Sequence, residues 1–239
     1  MIKREDTTFF CGIMLNRIIN AESILKLGDL IAGSRNILIT CHLSPDGDAM
    51  GSSLGLCMAL KNIGKKAKVV VPDTPPKYLM FLPGATDIVV YSRSQHYVER
   101  LFASSELVFC LDYNEPKRID LVADAMLASP AKKVMIDHHL NPADFPDVVI
   151  SHPEESSTSV LVYRTLLDLG LGDAITADVA ECLYTGMMTD TGNFSYNSND
   201  PDLYEVIADM VRRGINKDFI YRKVYFSNSY NRLRLNGYA

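Results

Sequence analysis

Four short stretches place acids and histidines directly after apolar runs: His42-x-x-x-Asp46-x-Asp48, Asp112, Asp137-His138-His139, and Asp190 within Met187-Met188-Thr189-Asp190-Thr191-Gly192-Asn193. The triplet is the costliest of them. Three adjacent ionisable groups closing the run Lys132–Ile136 are expensive to desolvate unless something binds them. Taken singly, each stretch has an ordinary reading as a turn acid, a helix cap or a filler histidine pair. In this order, each behind an apolar element, they read jointly as one site. Two imidazoles and four carboxylates suit a pair of divalent metal ions with one carboxylate bridging. Nitrogen and oxygen donors without thiolate favour manganese or magnesium over structural zinc, and imidazole tilts the choice to manganese. Two such ions about 4 Å apart would hold a bridging hydroxide at neutral pH and clamp the oxygens of a phosphoryl group.

The elements that must position these residues are legible as alternating runs. Asn36–Cys41, Ala67–Val71, Asp87–Tyr91, Leu107–Leu111, Lys132–Ile136 and Asp147–Ile150 read as buried strands. Helical period predicts Asn20–Ala32 (ended by Gly33), Ala49–Ile63 (closed by Gly64) and Arg118–Leu127. Gly51, Gly55 and Ala59 recur every four residues, a small face that can lie close to a sheet. The alternation predicts an α/β fold: an open parallel sheet with helices on both faces. Ligands of such a sheet bind at the carboxyl ends of its strands, where the first three stretches fall. The helix after Asp48 would add its N-terminal dipole for an anion. From Ser156 the chain turns helical: Ser156–Leu169, then Ile175–Met188, apolar nearly all round and therefore central. A helix follows the cap Asp200-Pro201 and runs to Arg213; Asn216–Tyr225 is another, and Ser227–Asn236 begins a further helical pattern.

Composition narrows the function. The chain has 239 residues, is 47% hydrophobic and carries net charge −5, which argues against a basic surface coating long duplex nucleic acid. The charge is uneven, with seven Lys/Arg against four Asp/Glu from Pro201 on. Arg212, Arg213, Lys217, Arg222 and Lys223 could contact phosphates, although a solvated helix face is the ordinary reading. Five scattered cysteines without a Cys-x-x-Cys pair read as reduced thiols of a cytoplasmic protein. No stretch reaches the ~18 apolar residues of a membrane helix. Lys3, Arg4 and the apolar run Phe9–Leu15 outline a signal peptide, but Glu5 and Asp6 break its charged region and no cleavage site follows. A short leader, or a start at Met14, is expected instead. A homodimer is compatible with the sequence and not shown by it.

The four stretches together resemble the DHH phosphoesterase superfamily, named for the Asp-His-His triplet. The match consists of His42 through Ser52, Leu111-Asp112, Asp137-His138-His139 and Thr189 through Phe194, over roughly residues 20–225. Within it, the Pro-Asp-Gly-Asp-Ala loop and the compact size look most like the branch of small oligoribonucleases that also dephosphorylate adenosine 3′,5′-bisphosphate (pAp). The resemblance implies that His42 and Asp46 bind one metal, that Asp48, His138 and Asp190 bind the other, and that Asp112 bridges. It implies that His139 contacts the phosphate or helps the leaving group and that Asp137 orients a histidine or the backbone. Gly47, Ser52 and Arg222 are the candidate substrate contacts. The implied substrates are short RNA or pAp. Pyrophosphate, polyphosphate or a cyclic dinucleotide at the same site is the alternative, and a metal-dependent nucleotide-binding module without hydrolysis is the non-enzymatic one. Superfamily members of this kind carry a second, C-terminal domain with a Gly-Gly-Gly-His type motif, and no Gly-Gly pair occurs here. The expectation is a catalytic domain over 20–225, with 226–239 beginning a linker helix to that second domain.

Overall fold

The computed structural model describes residues 7–10 and 13–226. Its centre is a six-stranded sheet whose paired strands are all parallel: β3 (Asn36–Thr40), β4 (Lys66–Val71), β5 (Val89–Val90), β6 (Leu107–Leu111), β7 (Lys132–Asp137) and β8 (Val148–Ser151). Their spatial order is β5-β4-β3-β6-β7-β8. The chain therefore leaves β3 toward one edge and returns to place β6 on the other side of it. That reversal opens a crevice between β3 and β6 at their carboxyl ends.

The strands lack an alternating polar face because both faces are covered. Along β6, Leu107, Phe109 and Leu111 join one core, while Val108 and Cys110 join the other. The first core packs α1 (Ala21–Gly33), α2 (Gly47–Asn62), α5 (Thr158–Asp168) and α6 (Ala177–Asp190); the second packs α3 (Gln95–Ser104) and α4 (Val122–Ala128). Burying a side chain such as Phe109 contributes about 2–3 kcal/mol. The remaining helices are α7 (Pro201–Arg212), capped by the Asp200 side chain, and α8 (Lys217–Tyr225), capped by Asn216. The α/β sheet with helices on both faces is as the sequence predicts.

Several boundaries differ. The apolar run Phe9–Leu15 contributes to an antiparallel hairpin of β1 (Thr7–Phe10) and β2 (Ile13–Asn16), with Leu15 buried. Helix α1 runs through Gly33, and Ser34 is its cap. Asp87–Tyr91 yields only the two residues of β5 between 3₁₀ turns. The segment Arg118–Leu127 breaks into a 3₁₀ turn, Pro116–Ile119, and α4, with Asp120 at φ 49° between them. The small face of α2 packs on α6 rather than on the sheet: a Cβ on Gly51 would meet the Cys182 carbonyl and come within 2.8 Å of the Gly186 nitrogen. Cys41, Cys57, Cys110 and Cys182 are buried free thiols, whereas Cys11 and the helical pattern Ser227–Asn236 lie outside the described residues.

Candidate metal centre

Register brings three of the four stretches level. Thr40 pairs with Cys110 and Leu111 with Ile136, so His42, Asp112 and His138 leave three adjacent strands at their carboxyl ends. The loop after β3 is held by the Ser44 N–H, which donates to Asp73 Oδ1 at 2.7 Å. Helix α2 begins at Gly47, earlier than its apolar period suggested. Asp46 is therefore its cap: Oδ1 accepts the N–H groups of Asp48 and Ala49, each at 3.0 Å. The first-turn N–H groups expected to serve an anion are thus engaged by Asp46 itself. Its Oδ2 faces His42 Nε2 at 3.8 Å. The fourth stretch arrives on α6, whose last residue is Asp190.

The donor atoms converge in three overlapping groups, one of which joins Asp112 to His138 and His139. His42, Asp46 and Asp112 each offer an atom within 4.8 Å of the others, and so do Asp48, His138 and Asp190. Asp112 stands between them: Oδ2 lies 3.5 Å from His42 Nε2 and Oδ1 lies 3.6 Å from His138 Nε2. His138 Nε2 is 3.4 Å from Asp190 Oδ2. Both imidazoles are aimed by their other nitrogen, His42 Nδ1 donating to the Leu43 carbonyl at 2.8 Å and His138 Nδ1 to the Glu155 carbonyl at 3.3 Å. A backbone acceptor on Nδ1 fixes the tautomer that leaves Nε2 free to bind a cation. His139 Nδ1 lies 3.8 Å from Asp112 Oδ1, and its nearer partner is Asp137. Its Nδ1 donates to Asp137 Oδ1 at 2.7 Å, and Asp137 Oδ2 accepts the His139 backbone N–H.

Asp48 is wholly buried, and its two oxygens accept the Thr158 and Ser159 N–H groups at 2.7 and 2.9 Å. The positive end of α5 thus faces this carboxylate. Thr158 Oγ1 also donates to Asp112 Oδ1 at 3.0 Å. The run Ser156-Ser157-Thr158-Ser159 ahead of an apolar helix was the available signal for this second helix N-terminus at the site; the Glu155 carbonyl left none.

Crowding of acids shows in their protonation. Burial, reinforced by Asp112 and Asp190, pushes Asp48 well above the usual carboxylate range. Burial likewise raises Asp190, against the pull of His138 and with the push of Asp112 and Asp46, to about 6. For His42, burial opposes the charged form, but the adjacent Asp112 and Asp46 carboxylates outweigh it and lift the pKa to about 10. Burial also works against ionised Asp46, and its bonds from His42 and the α2 backbone overcome that and lower it. The Asp137 hydrogen bond raises His139. Such a set is stabilised by protons or by cations, and its oxygen and imidazole donors fit hard or borderline divalent ions. Cys41, beside Asp112, is held as a neutral thiol by burial first and by that charge second, so it offers no competing thiolate.

The candidate substrate contacts separate. Gly47 lines a cavity of about 280 Å³ with Asp46, Tyr78, Thr189, Asp190 and Tyr225, and a Cβ there would collide with the Thr189 side chain. Ser52 is fully buried and donates to the Asp48 carbonyl at 2.7 Å, so it braces the first turns of α2 and faces no substrate. Arg222 is exposed on the last turn of α8, outside the residues lining that cavity. Arg213 is turned inward, to Asp209 and to the carbonyls of Gly172 and Ile175.

Comparison with known proteins agrees with this architecture. A bifunctional oligoribonuclease and PAP phosphatase NrnA from Thermus thermophilus is 38% identical over 75% of this chain and 50% of its own length. The protein of that name from Bacillus subtilis is 27% identical over 84% of this chain and 60% of its own. The chain thus spans about half the length of these curated relatives. A crystal structure of an exopolyphosphatase-related protein from Bacteroides fragilis superposes with a TM-score of 0.93 at 47% identity, over 94% of this chain and 66% of that one. The model of the DHH family, N-terminal domain, matches residues 36–187, and with that match the chain belongs to the DHH family.

Proposed function

We propose that residues 20–225 form the catalytic domain of a two-metal phosphoesterase, acting on short oligoribonucleotides and on pAp, with manganese as the preferred ion. The observation that carries this reading is Asp112, whose two oxygens face the Nε2 atoms of His42 and His138 at 3.5 and 3.6 Å. In this reading His42 and Asp46 would hold one ion, Asp48, His138 and Asp190 would hold the other, and Asp112 would serve both. Divalent ions bound there would supply Lewis acidity toward a phosphoryl oxygen and a lowered pKa for water. The chain's own groups do the rest. The Leu43 and Glu155 carbonyls keep both Nε2 atoms turned inward, and Asp137 holds His139 where it can give or take a proton at the substrate oxygens. The two NrnA relatives, named for oligoribonuclease and PAP phosphatase activity, support the choice of substrates.

The test is Asp112→Ala. Manganese titrated into the wild-type chain is expected to fill two sites, and into the variant fewer than two. Turnover should fall by more than ~100-fold, beyond what loss of a group that only orients a ligand produces. Short oligoribonucleotide, pAp, pyrophosphate and a cyclic dinucleotide are assayed side by side. Undiminished metal binding and turnover in the variant would sink the mechanism, and preference for pyrophosphate or the cyclic dinucleotide would overturn the substrate assignment. Nucleotide binding without hydrolysis of any of the four would favour a binding module.

A further inference from the structure

We propose that Arg118 is the residue of this domain that grips the substrate phosphate, an assignment that rests on the phosphoesterase reading above. Arg118 lies in the 3₁₀ turn Pro116–Ile119, shortly after Asp112. The turn is fastened to the site from two sides. The Arg118 carbonyl accepts the Leu43 N–H at 2.8 Å, and Leu43 in turn orients His42. The guanidinium Nη2 lies 3.4 Å from His139 Nε2. When the ring is neutral, Asp137 takes its Nδ1 proton and Nε2 can accept from Arg118.

What marks this guanidinium is its lack of an anion. The other inward-turned arginines have carboxylates: Arg164 lies 3.2 Å from both Glu155 and Asp202, and Arg213 pairs with Asp209. Arg118 is half-buried, yet among the described residues it forms no ion pair with a carboxylate. A guanidinium has five donors in a planar fork, and the contact to His139 uses one of them. The fork matches two oxygens of a phosphate, and a charge-assisted pair of that kind is stronger than a neutral hydrogen bond. Its place is chemically apt. The donor groups are dominated by carboxylates that repel an anionic substrate, and Arg118 sets a permanent positive charge beside His139, the histidine to which the two-metal reading gives no ion. The ligand class is a phosphate monoester or diester, bound between His139 and this fork.

The test uses inorganic phosphate as the probe. It is titrated calorimetrically into the manganese-loaded chain, as wild type, Arg118→Gln, Arg118→Met and Arg118→Lys, while free manganese is followed by its paramagnetic resonance signal. Loss of the fork is expected to weaken phosphate about 10- to 100-fold, the loss of charge-assisted hydrogen bonds, with manganese affinity unchanged. Lysine should recover only part, since it restores the charge without the planar fork. The Met variant keeps the packing of the stem and decides the matter if the Gln variant does not fold. A wild-type chain that binds no manganese sinks the phosphoesterase reading and this assignment with it. Manganese binding with a phosphate affinity indifferent to Gln and Met overturns this assignment alone. Lowered turnover with unchanged phosphate affinity also overturns it, because Arg118 would then only hold His139 in place.

Discussion

Asp112 can face both histidines because of its backbone. It lies at φ 62°, in the left-handed region that Asp and Asn enter several-fold more readily than other non-glycine residues. The same crowding predicts how the metal-free protein responds to pH. His42 has a folded pKa of about 10 against 6.5 for the free side chain, so its stabilising contribution is full below 6.5 and is lost as pH climbs toward 10. Asp190 is raised to about 6 from 3.8, so it adds a penalty that is absent below 3.8 and complete above 6. Both effects lower stability as pH rises. Between pH 7 and 9 the metal-free chain is expected to lose at least ~3 °C in Tm, the shift that about 1 kcal/mol makes in a domain of this size. On the proposed two-metal reading, saturating manganese would take the place of the protons and should reduce that loss. Scanning calorimetry at both pH values, in chelator and in manganese, checks it; a flat metal-free profile would count against the pairing of His42 with its acids. At this scale the sequence was most informative. Acids and imidazoles after apolar runs are visible as letters. The Glu155 and Leu43 carbonyls are not, because every residue carries one, and Arg118 looked like any surface arginine until the turn folded it onto His139.

Among the elements, the contact between α2 and α6 decides whether the site exists, since α2 follows Asp46 and carries Asp48, and α6 ends in Asp190. The two helices meet through Gly51 and Gly186, whose missing side chains allow backbone to approach backbone. Gly51→Ala would press a methyl group on the Cys182 carbonyl and the Gly186 nitrogen, atoms that cannot step aside. Overpacking of this kind costs about 1–3 kcal/mol, partly offset by ~1 kcal/mol of helix propensity. A net loss of stability is expected in urea titrations, with weaker manganese binding as α6 is displaced. Gly55→Ala should be milder, because it meets the side chain of Leu183 rather than backbone. Stability of the Gly51 variant equal to wild type would show the contact to be looser than described. The four-residue spacing of small residues was legible; their partner was not, because a sheet and a helix ask for the same small face. Helix α3 went unread for a plainer reason: only Val98 and Phe102 of its ten residues are buried, too few to set a period. The run Phe9–Leu15 was too short to tell a leader from strand.

Across the whole molecule, the order of strands and helices was enough to name the sheet, because parallel strands with crossover helices leave few alternatives. The tie between its distant parts was hidden, since it depends on Arg164. This buried guanidinium donates to the Asn16 carbonyl of β2 at 3.0 Å, lies 3.2 Å from Asp202 on α7, and pairs with Glu155 at 3.2 Å. Arg164→Leu would strand two buried acids, and removing one partner of such a cluster costs about 3–5 kcal/mol. Urea midpoints should record that loss, and unchanged stability would show the cluster to be dispensable. Glu155 has a second duty, for its carbonyl aims His138. The candidate metal centre and the hairpin are therefore linked through Glu155 and Arg164. If ordering Glu155 favours the ion, ion binding must favour docking of the hairpin by the same factor, as linkage between two binding equilibria requires. Amide exchange at Asn16 should then slow when manganese is added. A change that loosens β2 from α7 would weaken the metal without touching any group that holds it.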